Sequence, residues 1–169
     1  MQTPELSLLS IAYECNSYHR ASGHKKLAFI AGKSSSSTSR DRVRSFNQQL
    51  VRLGREQPLR EVGNDTFQEA MAATHGLLQR DATRPDGIFC ANDFMAIAAL
   101  NAARELGLEP GRDISIVGFE NIPMAAWPSI SLTTYLQPIG QLVSEAVKVI
   151  RAQHRRSNTV LLQASGPGS

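Results

Sequence analysis

The residues best placed to do chemistry stand just beyond short apolar runs. The run at 26–32, KLAFIAG, opens into a hydroxyl-rich loop at 32–38 that leads to Arg40 and Arg42. The run at 87–91, GIFCA, is followed at once by Asn92 and Asp93, and the run at 113–119, DISIVGF, by Glu120 and Asn121. In open parallel sheets ligands bind beyond the carboxyl ends of the strands. If these runs are strands, hydroxyls, a guanidinium, an amide and a carboxylate can meet there on one ligand. That set suits a small polar molecule such as a sugar: carboxylate and amide exchange hydrogen bonds with hydroxyls, and arginine supplies a rigid fork of donors. Trp127, in MAAWPS at 124–129, either stacks its ring on a sugar face or covers the core beneath a loop. Taken singly, Ser39, Asn92, Asp93 and Asn121 also read as ordinary caps and turn residues.

Catalytic constellations do not assemble. The chain contains no G-x-S-x-G elbow, no P-loop and no G-x-G-x-x-G. His19, His24, His75 and His154 lie at no metal-ligand spacing, so neither a metal nor a cofactor is expected. Cys90 falls inside a buried run and reads as packing rather than as a nucleophile.

The elements that must position these residues are legible from periodicity. Val43, Phe46, Leu50 and Leu53 put one apolar stripe on a helix over 39–53, which Gly54 stops. A weaker strand is expected at 59–63. A second helix carries Phe67, Met71, Thr74 and Leu78, and an alanine-rich third runs from Asn92 or Asp93 to about Leu106. A further strand is expected at 132–136, a last helix at 139–153 and a closing strand at 159–163. Continuous apolar strands alternating with helices imply an α/β fold, a mostly parallel sheet with helices on both faces.

Composition agrees. The 169 residues are 41% apolar and 20% charged, enough for a real core and too apolar for wholesale disorder. Two cysteines exclude a disulfide-dense scaffold. No run approaches the roughly 20 apolar residues of a membrane span, and the first residues lack a signal peptide's basic region. A cytoplasmic setting without membrane contact is expected. A net charge of +3 with only 6% aromatics gives no nucleic-acid stripe. The densest basic cluster, RAQHRR at 151–156, reads as a solvated helix end.

The stretches at 23–32, 36–46 and 87–138 resemble the lactose-repressor family of bacterial transcription regulators. Ala-Asn-Asp-x-x-Ala from Ala91, GRDISIVGF from Gly111 and Leu-Thr-Thr-x-x-Gln-Pro from Leu132 stand in that family's order and spacing. The resemblance implies a periplasmic-binding-protein-like (type I) C-terminal subdomain at 23–136. It further implies a helical lead-in at 1–22, a crossover helix and returning strand at 137–163, and a tail at 164–169. The family's DNA-binding headpiece has no counterpart here.

The same resemblance makes Ser36, Thr38, Arg42, Asn92, Glu120 and Gln137 effector-binding, with Trp127 added as the stacking candidate. Glu120 stands where the family usually has aspartate, and Asp65 falls near a position often aromatic. The implied function is effector sensing and dimerisation in a repressor, with a carbohydrate effector, a homodimer, and DNA contacted only through a headpiece. Self-association is expected through the helix at 92–106 and the one at 139–153. A sugar transporter's solute-binding protein is the alternative, and an α/β enzyme using Asp93 or Glu120 as base a minor one.

Overall fold

The computed structural model describes residues 26–136. The helices and strands expected beyond Gln137, the basic cluster at 151–156, Gln137 itself and the three other histidines lie outside them.

Five strands and three α-helices alternate along the described chain: β1 Leu27–Ala31, α1 Ser37–Arg52, β2 Leu59–Val62, α2 Phe67–Leu78, β3 Gly87–Cys90, α3 Asp93–Glu105, β4 Ser115–Glu120 and β5 Thr133–Leu136. A short 3-10 helix, Pro123–Ala126, follows β4. The strands form one sheet in the order β2-β1-β3-β4-β5, and every neighbouring pair is parallel. β1, β3 and β4 are central and almost wholly buried, which explains why they read as unbroken apolar runs. β2 lies at an edge and alternates half-buried with exposed residues, hence its weaker signal.

Both faces of the sheet are covered. On one, Phe46 of α1 packs with its ring centroid 5.2 Å from Phe29 and 5.1 Å from Phe89, residues in register on β1 and β3. On the other, α2 and α3 pack together over the sheet. There a Cβ on Gly63 would lie within 3.1 Å of Met95, Ile30 and Ala70 atoms, so glycine is required for that close approach.

The expected boundaries hold with small shifts. The fourth strand begins at Ser115, not at 113. Asp113 is instead drawn into a turn, where its carboxylate accepts from the Glu109 amide at 2.8 Å and pairs with the Arg112 guanidinium. That hydrogen bond to Arg112 holds the Asp113 carboxyl below the usual carboxylate range. Helix α1 starts two residues before the expected position because Ser36, not a later residue, caps it.

Candidate functional site at the strand ends

The order β2-β1-β3-β4-β5 reverses direction between β1 and β3, so the crevice beyond their carboxyl ends is where this topology binds ligands. The loops that follow Ala31, Cys90 and Glu120 all open on that side, since the strands are parallel.

Arg42, two turns into α1, is drawn across the ends of β3 and β4. Its Nη1 donates to the Ala91 carbonyl at 2.5 Å and to Glu120 Oε1 at 3.2 Å. Its guanidinium carbon lies 4.3 Å from the centroid of the buried Phe119 ring. Only 9% of the Arg42 side chain is exposed, and its Nε is buried with no hydrogen-bond partner. A buried donor left unpaired is costly. Glu120 reaches Arg42 from the last residue of β4, where φ is 130°, and Asn121 follows at 55°. Two successive left-handed residues turn the chain sharply away from the sheet and leave the Glu120 carboxylate at the crevice.

Asn92 is in the crevice but its amide is engaged twice. Oδ1 accepts from Met95 N at 2.8 Å as the cap of α3, and Nδ2 donates to Asp65 Oδ1 at 3.0 Å. The cap reading made from sequence is therefore correct, and the amide also reaches a partner that reading missed. Asp65, noted from sequence only as a lost aromatic, accepts from Lys33 N at 3.1 Å through its other oxygen. No local sequence signal marks it, because the pairing joins residues 27 and 32 positions apart.

Ser36 spends its hydroxyl on the Ser39 amide as the cap of α1, and Thr38 is exposed in the first turn of that helix. Trp127 lies in the twelve-residue connection between β4 and β5, which steps back along the sheet so that Thr133, the first residue of β5, pairs with Val117 inside β4. Arg104, in the last turn of α3, donates to the Ile130 carbonyl and holds the turn that follows Trp127. The tryptophan is half exposed.

Asp93 is fully buried beneath the crevice. Its carboxylate accepts from Ile122 N at 2.8 Å and from the Thr134 hydroxyl, so it staples the start of α3 to the chain just past β4 and to the start of β5. Cys90 is likewise fully buried, and burial first, then the Asp93 charge, pushes its thiol far up from the ordinary range. His75 pairs its Nε2 with Glu105 at 2.9 Å and links α2 to α3. A cavity of about 340 Å³ lined by Lys26, Arg55, Gln57 and Thr83 lies at the amino edge of β1, away from these groups. Among the described residues no three His, Cys, Asp or Glu side chains gather as metal ligands, and no helix is long and apolar enough to cross a membrane.

A doubly wound parallel sheet with polar side chains at its switch point defines a ligand-binding α/β protein. The chain belongs to the periplasmic binding protein-like domain family, whose model matches residues 17–163. The relatives it matches are LacI-family repressors. It is 31% identical over 139 residues to the HTH-type transcriptional repressor PurR of Photobacterium profundum, covering 80% of this chain and 41% of that one. It is 30% identical over 168 residues to the HTH-type transcriptional repressor CytR of Escherichia coli, covering 96% and 49%. Among solved structures, a LacI-family regulatory protein from Chloroflexus aggregans superposes with a TM-score of 0.74 at 30% identity, over 79% of this chain and 49% of that one. The lac repressor dimer bound to operator and an anti-inducer gives 0.78 at 26% identity, over 85% and 50%. The chain thus spans about half the length of the curated relatives it matches.

Proposed function

We propose that this chain is the effector-sensing and dimerising part of a repressor-type transcription regulator, not an enzyme. Its crevice takes a small, hydroxyl-bearing molecule of the carbohydrate class. The observation that carries this reading is Arg42, a buried guanidinium with an unpaired Nε at the switch point of the sheet. A ligand hydroxyl accepts from the Arg42 guanidinium and donates to Glu120, so the two side chains recognise both polarities of one group. Binding shifts the balance between two conformations of the regulator, and DNA affinity follows through a separate helix-turn-helix headpiece. The setting of such a regulator is the cytoplasm. Ser36, Thr38 and Gln137 belong to the same effector set.

Self-association runs along α3. Most of that helix is buried against α2 and the sheet, but Phe94 at its start is 44% exposed, and Trp127, beside its last turn, is 52% exposed. Exposed aromatics of this size are enriched at protein interfaces. Sedimentation of the chain at rising concentration tests this: a monomer throughout would remove α3 from the interface.

The test of the effector reading is Arg42→Ala. Calorimetric titration with a panel of neutral mono- and disaccharides should give binding to the parent chain and none to the variant, with the fold retained by circular dichroism. A sugar that binds both equally would remove Arg42 from the site.

A further inference from the structure

Asp65 is the least expected member of the crevice. It lies in the loop after β2 with φ at 58°, preceded by Asn64 at 49°, so two left-handed residues aim its side chain back over the sheet. There its oxygens accept from Lys33 N at 3.1 Å and from Asn92 Nδ2 at 3.0 Å. A Cβ on Gly32 would lie 2.2 Å from Asp65 Oδ1, and the three nearest atoms it would meet all belong to the Asp65 carboxylate. Glycine at 32 is the opening that lets the carboxylate in.

Backbone N–H groups after strands are among the donors that hold anionic ligands in other α/β proteins. Here a residue of the chain already occupies such an N–H, on Lys33, together with the side-chain amide of Asn92. We propose that Asp65 is a built-in anion that fills this seat and makes the crevice select uncharged or cationic hydroxyl-bearing effectors over phosphorylated or carboxylated ones. The inference rests on the crevice being the effector site.

The rest of the crevice points the same way. Arg42 is the buried cation available to an incoming anion, and its Nη1 already serves Ala91 and Glu120. A phosphorylated ligand would meet two carboxylates, Asp65 and Glu120, with the Lys33 and Asn92 donors taken. Juxtaposed like charges discriminate strongly against a partner. A hydroxyl, by contrast, donates to a free lone pair on either carboxylate and accepts from the Arg42 guanidinium.

The experiment uses inorganic phosphate as the probe and the ¹⁵N-labelled 169-residue chain. Two variants empty the seat. Asp65→Gly deletes the carboxylate at a left-handed position that glycine accepts, and Asp65→Ser leaves only a short neutral side chain there. Each spectrum also reports whether the variant is folded. The Lys33 amide and the Asn92 side-chain amide should shift saturably with phosphate in both variants, at an apparent affinity at least about tenfold above the parent. Equal phosphate binding by the parent would overturn the proposal, as would folded variants that bind no better. Failure of the effector reading looks different: sugar binding unaffected by Arg42→Ala, whatever phosphate does at Asp65.

Discussion

Gly118 and Asp93 approach so closely that a Cβ on the glycine would lie 2.2 Å from the aspartate Oδ1. The carboxylate fills the space a side chain would take, and from there it binds Ile122 N and the Thr134 hydroxyl. Gly32 and Asp65 repeat the arrangement at the end of β1. In both places a strand gives up a side chain so that a carboxylate from a neighbouring loop or helix start can sit over the sheet.

Gly118→Ala should therefore destabilise the protein by about 3 kcal/mol, because a fully buried carboxylate must leave its donors. The Leu132 and Ala96 side chains, 3.1 and 3.2 Å from the added carbon, leave little room for adjustment. Urea unfolding measures this. In a double-mutant cycle with Asp93→Ala the two losses should fall well short of additive; full additivity would mean that the two residues do not interact.

The two jobs of Asn92 can be separated. Asn92→Ala loses the cap on Met95 N and the bond to Asp65, and should cost about 1–2 kcal/mol. Asn92→Asp keeps a good cap but sets a second carboxylate against Asp65 Oδ1, where an amide donor now stands at 3.0 Å. Thermal melts at neutral pH should rank the aspartate variant below the parent even though aspartate caps as well as asparagine. A variant equal to the parent would show that the Asp65 contact contributes nothing.

Glu120→Asp should leave stability almost unchanged, by less than about 1 kcal/mol, because the Glu120 carboxyl is 37% exposed and its pairing with Arg42 is partly screened. The shorter arm should still alter affinity for whichever sugar binds, since it withdraws an acceptor from the crevice. Calorimetry on parent and variant, together with a melt, distinguishes the two effects.

Cys90 gives a pH dependence with a definite sign. Its folded pKa is raised above the unfolded value, so the neutral thiol favours the folded state below the ordinary thiol range, about 8.5. As pH rises above that range the unfolded chain releases the proton and the folded one does not, so this contribution to stability falls. In a Cys15→Ser background, the thiol should react with Ellman's reagent only as fast as the chain opens, and should react fully in urea. Rapid reaction of the folded protein would contradict the burial.

Much of this was legible in the chain because the signals were local. β1, β3 and β4 are buried on both faces and so read as continuous apolar runs, and Asn92 and Glu120 follow from where those runs end. The first run led to Arg40 and Arg42 alike, and only the family resemblance singled out Arg42. Asp65 was not legible as a site residue. Its partners are Lys33 and Asn92, distant in sequence, and only the adjacency of β1 with both β2 and β3 brings them together.

Trp127 is the single tryptophan of the chain. Its indole is half exposed, three residues before the Ile130 carbonyl that Arg104 of α3 holds, so it is a native fluorophore at the proposed interface. Its emission should move to the blue when a second copy covers α3. One spectrum then reports assembly without any added label.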